Sequence, residues 1–382
     1  MTVKNINKKG IFYVKVQVAL LLVFMLVFAS MLTACGTKNT NENTTASLES
    51  ATLILPDGAP LLSIASLAEG GNINSSGIFQ VGDAISKELG TKLGIQVVQD
   101  ADTLIASIKK EQPELAVVPI NLAAKLYNEN SAENQYKLLG VSTWGLNEVV
   151  ANFDISSLKD LVGKKLYSFA KAGTPGVAIR ALLKKEGIEY VDFKDVVSNS
   201  AVNIVDFTTA PDIVAELSKN LDEPHIALLP QPVASAFALK TQGKYSVKLD
   251  LQKLISQAFD GLKYPQAGLI ARADIADNAN YSNFLNKLVA HIEKTTPSLK
   301  ENPEHVAKNV KENFKSSALA ATEAVVDAIK KGSLDVEFTP VTSKNDVKKD
   351  VKAFLQIIYD SGASALIGGK IPDDKFFVLD KG

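Results

Sequence analysis

The stretch LILPDGAPLLSIASLAEG, Leu53 to Gly70, contains the strand-to-helix turn from which the fold can be worked out. A β-rich run over residues 51–55 meets the turn PDGAP, and an apolar helical pattern follows at once. Such a turn either only connects a strand to a helix, or its free backbone N–H groups hold a ligand. Sequence features elsewhere in the chain are needed to choose between these two possibilities.

The same alternation of strand and helix continues along the chain and predicts a mostly parallel α/β sheet. The predicted strands are residues 52–55, 95–98, 115–118, 138–141, 148–151, 165–169, 203–207 and 226–229. The predicted helices between them are residues 103–110, 122–128, 175–186, 211–218 and 232–240. Residues 72–90 do not follow this alternation of strands and helices, and we expect a loop and a short helix there.

From about residue 274 the pattern becomes helical without a convincing strand. Amphipathic helices are predicted over residues 281–295, 304–314, 318–331 and 344–359. A helical tail of this length has to pack on something already folded.

The N-terminus has the pattern of a secretory signal. Four lysines precede an uncharged apolar run over residues 18–31, and small residues follow around Cys35, the only cysteine. The run of about 14 residues is shorter than the roughly 20 that cross a bilayer as a helix. We expect residues 1–34 to be a signal peptide, with a lone membrane anchor as the alternative. Residues 35–50, rich in Asn, Thr and Ser, predict a flexible tether.

Charge and length narrow the class of protein. Removing residues 1–34 takes away four lysines and no acidic residue, so the formal net charge moves from −1 to −5. No basic face stands out, so nucleic acid is not an expected partner. The remaining chain of about 330 residues is too long for one small core and predicts two lobes.

Motifs for catalysis and metal binding are missing from the sequence. His225, His291 and His305 lie far apart, and no HExxH, CxxC or His–carboxylate cluster is present. The sequence also lacks a Gly-x-Ser-x-Gly elbow, a Walker loop and a Gly-x-Gly-x-x-Gly turn. We therefore expect a binding protein that uses no metal or cofactor, not an enzyme.

Proline-bearing turns join a strand to a helix at residues 55–60, 118–122, 169–176 and 229–233. Thr174 and Gln231 stand where helix N-caps are expected, whereas Ala59 at the same place cannot accept a hydrogen bond. The N–H groups behind Ala59 would then pair with Asp57, water or a ligand. Ligands of open α/β sheets bind beyond the carboxyl ends of the strands, where these turns would lie. Four ordinary connecting turns are the alternative.

Trp144, the only tryptophan, lies in the segment LLGVSTWGLNEVV, where a Ser/Thr/Gly centre separates two apolar runs. The segment predicts a connection between two sheets. Trp144 would either stack on a flat ligand between two lobes or pack in the core beneath a loop.

Several segments resemble the solute-binding proteins of ABC importers, specifically the nitrate/sulfonate/taurine-type and pyrimidine-precursor-type group. The segments, in order from about residue 52 to 378, are LPDGAP, LAVVPINLAAKLYN, GVSTWG, GKKLYSFAKAGTPG, IALLPQPVASA, YPQAGLIARAD and IGGKIPDDKFFV. In addition, LTAC at residues 32–35 is similar to the bacterial lipobox, which implies that Cys35 is lipidated and becomes the mature N-terminus.

The resemblance implies an α/β protein with the type II periplasmic-binding fold: two α/β lobes, a two-strand hinge and a ligand cleft between the lobes. The hinge crossings map onto residues 141–149 and 267–272. Residues 51–143 with 272–382 would form lobe 1, and residues 144–271 would form lobe 2. The residues implied to line the cleft are Asp57, Gly58, Ala59, Pro60, Pro119, Asn121, Trp144, Gly173, Thr174, Pro175 and Gln231.

The function implied by the resemblance is that of an extracytoplasmic lipoprotein, anchored to the cell membrane, which delivers a small solute to an ABC permease. A monomer is expected, and the solute would be a sulfonate, a nitrate-like anion, or a pyrimidine or thiamine precursor. Many similar proteins have glutamate where Gln231 stands, and the uncharged amide implies a ligand with no amine to pair. No arginine lies inside the four turns, so a strongly held sulfonate or nitrate is less expected. The alternatives are a sensory or adhesive surface lipoprotein without a transporter, and an enzyme on the same fold.

Overall fold

The computed structural model describes residues 48–378, except residues 133, 317, 335 and 336 and the side chain of Leu299. The predicted signal peptide, Cys35 and the tether up to residue 47 lie outside the described residues. Ser50, the last residue of the predicted tether, already belongs to the first strand, so the folded chain begins slightly earlier than expected. No helix in the described part of the chain has the length and apolar character needed to cross a membrane.

In the part of the chain that the structure describes, fourteen strands are distributed over two sheets. The strands are β1 (Ser50–Pro56), β2 (Asn72–Ile73), β3 (Phe79–Gln80), β4 (Lys92–Val98), β5 (Leu115–Pro119), β6 (Tyr136–Trp144), β7 (Asn147–Ala151), β8 (Lys165–Phe169), β9 (Tyr190–Asp192), β10 (Val202–Phe207), β11 (Ile226–Pro230), β12 (Ser246–Asp250), β13 (Pro265–Arg272) and β14 (Thr339–Pro340).

The α-helices follow the strands and then form the tail. They are α1 (Ala59–Ser63), α2 (Asp83–Leu89), α3 (Ala101–Glu111), α4 (Ile120–Glu129), α5 (Thr174–Lys185), α6 (Ala210–Leu217), α7 (Val233–Lys240), α8 (Leu251–Ala258), α9 (Ala273–Ala276), α10 (Ser282–Thr295), α11 (Ser298–Glu301), α12 (Pro303–Phe314), α13 (Thr322–Lys330) and α14 (Val347–Ile358).

The first sheet has eight strands in the order β14-β6-β13-β5-β1-β4-β3-β2. Strand β1 lies parallel to β4 and β5, whereas β13 runs antiparallel to both β5 and β6. Leu53 and Leu55 face one hydrophobic cluster and Ile54 faces another, so both faces of the central strand are covered. This is the burial that a βαβ sheet requires.

The second sheet has six strands in the order β12-β7-β11-β8-β10-β9. Strand β8 lies parallel to β10 and β11, and β7 runs antiparallel to β11 and β12. The observed α/β architecture with two sheets agrees with the fold class expected from the sequence.

The chain crosses between the sheets twice. The first crossing joins β6 of the first sheet to β7 of the second through Gly145 and Leu146, within the predicted span of residues 141–149. The second crossing follows α8 and ends where β13 begins, at Pro265. The predicted span, residues 267–272, instead lies entirely inside β13 of the first sheet, so the chain returns to that sheet earlier than predicted.

The C-terminal tail packs on the first sheet, as its amphipathic patterns required. Helices α10, α12 and α13 contribute to the same hydrophobic cluster as Leu53 and Leu55. Helix α14 contributes to the cluster on the other face, where Phe354 packs against Tyr264 with ring centroids 5.0 Å apart.

Most strands and helices predicted from periodicity are present, but short and polar strands were missed. The region of residues 72–90 contains the β2–β3 hairpin as well as the expected short helix. The tail contains β14, which pairs with β6, where no strand was expected. Two-residue strands such as these have no periodicity to detect, because they exist only through pairing with a neighbour.

Candidate functional site

The helix starts that follow β5 and β8 contact each other where the two sheets meet. Oγ1 of Thr174 donates to Oδ1 of Asn121 at 3.2 Å and to the backbone oxygen of Gln266 at 3.1 Å. Nδ2 of Asn121 donates to the backbone oxygen of Ala172 at 3.0 Å. Thr174 and Asn121 are almost fully buried. Two of the four turns singled out by sequence are thus joined directly, one from each sheet.

Asn147 and Gln231 lie at the first crossing, beside this contact. The backbone N–H of Gln231 donates to the backbone oxygen of Leu146 at 2.8 Å. Nδ2 of Asn147 donates to Oε1 of Gln266 at 3.2 Å, which links the second sheet to β13 of the first. The third of the four turns therefore reaches the same junction.

Glu148 is a buried carboxyl group at this junction and was not predicted as a site residue. Its side chain is 5% exposed, and Gln231 forms a hydrogen bond to its carboxyl group. Among the described residues, Oε2 of Glu148 has no hydrogen-bond partner. Burial first, and then the nearby carboxylate of Asp250, raise the pKa of Glu148 to about 8. We call Asn121, Asn147, Glu148, Thr174 and Gln231 the junction cluster.

Other buried oxygens on the strands around the junction also lack partners. Within the described part of the chain, these are Oγ of Ser142 on β6, Oγ of Ser168 on β8 and Oδ1 of Asn147. Buried polar atoms in folded proteins are usually hydrogen-bonded, so several such oxygens near one crossing require an explanation. A polar solute admitted between the sheets would supply hydrogen-bond donors.

The turn after β1 is held by the C-terminal tail. Asp57 accepts a hydrogen bond from Oγ of Ser316 and another from the backbone N–H of Ala318 at 3.1 Å. The N-cap of α1 is Gly58, at φ 115°, and no side chain caps this helix. Ala59 is therefore the first helical residue and Pro60 the second, which corrects the expected N-cap. The bonds to Ser316 and Ala318 tie Asp57 to the tail, and its role as a helix cap or a solute contact stays a prediction.

The two other predicted N-caps are also displaced by one residue. Gly173 is the N-cap of α5, so Thr174 and Pro175 are its first two residues. Pro232 is the N-cap of α7, after a cis peptide bond from Gln231. The Thr174 hydroxyl joins the junction, whereas Oε1 of Gln231 still accepts from the first turn of α7, from the backbone N–H of Ser235 at 3.3 Å and from its Oγ at 2.9 Å. Pro119 ends β5 and is the N-cap of α4.

Trp144 packs as a core residue, which favours the second alternative given for it. The side chain is 2% exposed, and Nε1 donates to Oγ1 of Thr339 at 3.1 Å. Nζ of Lys263 lies 4.4 Å from the ring centroid and covers one face. These contacts favour core packing, so we leave Trp144 out of the junction cluster, and its stacking on a solute stays a prediction.

The basic side chains around the junction have acidic partners. Arg180 lies 2.6 Å from Asp206 and 3.0 Å from Asp192, and Lys171 pairs with the same two carboxylates. Lys263, over Trp144, lies 3.3 Å from Glu337. These three cations are therefore already paired with carboxylates.

A cavity of about 170 Å³ lies elsewhere, between the segment after β1 and helices α10 to α12. Two of its hydroxyl groups already have partners in the protein: Oγ1 of Thr295 donates to Oγ of Ser66 at 2.7 Å, and Oγ of Ser63 donates to the backbone oxygen of Pro60 at 2.8 Å. The junction cluster, with its unpartnered buried oxygens, is the better candidate site. No group of three metal-ligating side chains occurs among the residues that the structure describes.

Sequence reasoning found three members of the junction cluster, Asn121, Thr174 and Gln231, and missed two. The signal for the missed pair was present in the segment LNEVVA, where Asn147 and Glu148 open a strand that is otherwise apolar. A carboxylate in a fully buried strand is rare, and its desolvation marks a candidate functional residue.

Two α/β sheets, two crossings between them and polar helix starts that meet at the crossings define the type II periplasmic-binding fold. Solved structures with this arrangement include an ABC transporter protein from Parabacteroides distasonis. It is 18% identical over 86% of this chain and 98% of its own, with a TM-score of 0.62.

Two further solved structures are binding proteins with stated ligands. The periplasmic aliphatic sulphonate binding protein SsuA of Escherichia coli is 11% identical over 87% of this chain and 92% of its own, with a TM-score of 0.60. The periplasmic nitrate-binding protein NrtA of Synechocystis PCC 6803 is 14% identical over 83% of this chain and 82% of its own, with a TM-score of 0.54. At these identities the likeness shows the fold. No protein-family model and no curated protein matches the chain.

Proposed function

We propose that the protein is an extracytoplasmic solute-binding protein that delivers a small solute to the permease of an ABC importer. The observation that carries the proposal is the contact of Asn121 with Thr174 and Ala172, which joins one helix start from each sheet. The fold, shared with periplasmic binding proteins, supports the same proposal. In domain terms, residues 51–143 with the C-terminal tail would form lobe 1, and residues from 144 to the second crossing would form lobe 2.

The proposed mechanism is closure of the two lobes on the solute. Besides the Asn121–Thr174 contact, α7 of the second lobe packs on α13 of the tail, and Nζ of Lys184 donates to the backbone oxygen of Asp360 at 3.4 Å. We infer that these contacts belong to a closed form, from which opening would rotate the lobes about the two crossings. A solute favours closure only by binding the closed form more tightly than the open form.

The proposed site is the junction cluster together with Asp57, Gly58, Ala59, Pro60, Pro119, Gly173 and Pro175 at the strand ends. Supporting this assignment, polar side chains of both sheets converge there, and buried oxygens nearby have no partner in the described part of the chain. The junction contains no pair of nucleophile and base in contact, so we propose binding without catalysis.

Lipidation at Cys35 would hold the protein at the outer face of the cell membrane through several acyl chains. The substitution Cys35→Ser should move the protein from the membrane fraction to the soluble extracytoplasmic fraction. Retention of the variant in the membrane fraction would support a lone membrane anchor instead.

Small-angle scattering tests the binding function with a panel of sulfonates, nitrate, pyrimidines and thiamine precursors. The radius of gyration should fall when a binding solute is added, and the melting temperature should rise through ligand mass action. Binding without a change in the radius of gyration would contradict closure. A neighbouring pair of genes for a permease and an ATPase would favour transport over a sensory or adhesive role.

A further inference from the structure

We propose that the cavity between the segment after β1 and helices α10 to α12 is a second binding site, which takes a small uncharged molecule with several hydroxyl groups, a sugar or a polyol. None of the described residues that line this cavity belongs to the junction cluster. The inference therefore goes beyond the proposed solute-binding function and does not depend on it.

Part of the lining of the cavity is apolar and buried. Leu62, Ala65 and Val306 form this part, and they are 1%, 5% and 7% exposed. The cavity volume of about 170 Å³ is far above what a single water molecule needs, so it admits a molecule of several linked carbon atoms. The C–H groups of a sugar or a polyol can pack on an apolar wall of this kind.

The hydroxyl groups of the lining have already committed their protons within the protein. Oγ1 of Thr296 and Oγ of Ser298 each donate at 2.6 Å to a backbone oxygen of the preceding helical turn, and Oγ of Ser63 does the same at 2.8 Å. A hydroxyl oxygen that donates its proton still has lone pairs with which to accept. These three groups therefore offer acceptors to a ligand.

Two asparagines of the lining offer donors. Oδ1 of Asn302 accepts from the backbone N–H of His305 at 3.3 Å, and Oδ1 of Asn309 accepts from Nδ2 of Asn313. Because both Oδ1 atoms are engaged by the protein, the Nδ2 group is what each asparagine presents to a ligand. A hydroxyl group both donates and accepts, so a lining with acceptors and donors fits a ligand that carries several of them.

The lining carries little charge. Among its described residues, Glu69 and His305 are the ionisable ones; Oε1 and Nε2 of this pair lie 4.0 Å apart, and both side chains are more than half exposed. A charged group placed against the apolar wall would lose hydration without an opposite charge beside it. An uncharged ligand avoids this cost.

The cavity is also connected to the turn after β1. Helix α12 packs on α1 and on the single helical turn at residues 65–68, and residues of all three line the cavity. Just beyond the other end of α12, Ser316 and Ala318 bond to Asp57, which lies two residues before α1. A ligand that contacts both α1 and α12 would strengthen the packing that supports the Asp57 contact.

Saturation-transfer NMR on the full-length protein with Cys35→Ser tests the site. The uncharged probes are D-ribose, D-glucose and myo-inositol, and the charged probes of similar size are tartrate and putrescine. We expect at least one uncharged probe to bind with a Kd in the millimolar range or tighter.

Three variants assign the binding to the cavity. Ser66→Leu fills the cavity and should abolish binding of the uncharged probe, whereas Asn309→Ala removes one donor and should weaken the Kd about three- to tenfold. The exposed Asn283→Ala, on α10, is the matched control and should leave the Kd unchanged. If Ser66→Leu does not fold, the comparison of Asn309→Ala with Asn283→Ala decides.

Hydrogen exchange at the backbone N–H of Ala318 tests the connection to the turn. Exchange should slow when an uncharged probe saturates the site, because opening of the Asp57 contact then has to break contacts with the probe as well. An unchanged exchange rate at saturation overturns the connection.

The site itself is overturned by any of three results. These are the absence of saturable binding by every uncharged probe, binding that Thr174→Val weakens and Asn309→Ala leaves unchanged, and a charged probe that binds more tightly than the uncharged ones and is removed by Ser66→Leu. The proposed solute-binding function survives each of these results, since the junction cluster lies elsewhere.

Discussion

Oγ1 of Thr174 donates to Oδ1 of Asn121 at 3.2 Å, and this bond joins the first turn of α5 in the second sheet to the first turn of α4 in the first sheet. Both residues lie in segments between a strand and a helix, AGTP and VPIN, that the sequence marks as candidate ligand turns. Their contact turns two local motifs into one site, and the stability of the closed form should depend on it.

Substitution of Thr174 by valine removes the hydroxyl while keeping the volume of the side chain. Oδ1 of Asn121 and the backbone oxygen of Gln266 would lose their donor, at a cost of about 1–3 kcal/mol. We expect a lower free energy of unfolding in urea and a larger radius of gyration without solute. The exposed Thr208→Val is the control. Equal effects of the two substitutions would show that the Thr174 hydroxyl does not hold the lobes together.

The stability of the protein should depend on pH through Glu148. Burial and Asp250 raise its pKa from the ordinary 4.5 to about 8, so the folded protein binds this proton more tightly than the unfolded chain does. The contribution is fully present below about pH 4.5 and is lost as the pH rises through 8.

Urea unfolding of the wild type and of Glu148→Gln at a series of pH values measures this contribution. The difference in unfolding free energy should shift by at most about 5 kcal/mol in favour of the variant between pH 4.5 and 8, and then level off. Parallel stability curves over the whole range would rule out a raised pKa for Glu148.

Asp57 should matter for stability through the tail. Its carboxylate accepts from Ser316 and from the backbone N–H of Ala318, so Asp57→Ala would remove two charge-assisted bonds. We expect a loss of about 2–4 kcal/mol in the free energy of unfolding. Asp195→Ala, in an exposed loop, should change it by less than about 0.5 kcal/mol. If the Asp57→Ala variant keeps the free energy of unfolding of the wild type but binds a solute more weakly, Asp57 contacts the solute instead.

Trp144→Phe separates the structural role of the tryptophan from a role in binding. Loss of the bond to Thr339 and of part of the ring should lower the free energy of unfolding by about 1–3 kcal/mol. The Kd for a binding solute should change less than threefold. A tenfold loss of affinity with unchanged stability would restore the stacking role that the sequence left open.

The sequence predicted the architecture well because strongly periodic segments carry it. Leu53–Leu55 and the apolar runs 115–118 and 226–229 have to be buried strands, whatever their neighbours are. The side-chain roles were harder to predict, since they depend on contacts between distant segments. Trp144 is covered by Lys263, which lies more than a hundred positions later in the chain, in the second crossing. Such a contact cannot be predicted from the sequence around Trp144. The raised pKa of Glu148 comes first from burial and then from Asp250 on β12, a partly exposed strand without a strong apolar pattern.

The central claim, closure of two lobes on a solute, is most directly tested by a distance across the junction. Cys35→Ser removes the only cysteine, so spin labels at Lys110→Cys on α3 and Lys194→Cys after β9, both exposed, report one distance by pulsed electron resonance. The account predicts a broad or two-component distribution without solute and a single narrow component once a binding solute saturates the site. A distribution that stays the same at saturation would contradict the account.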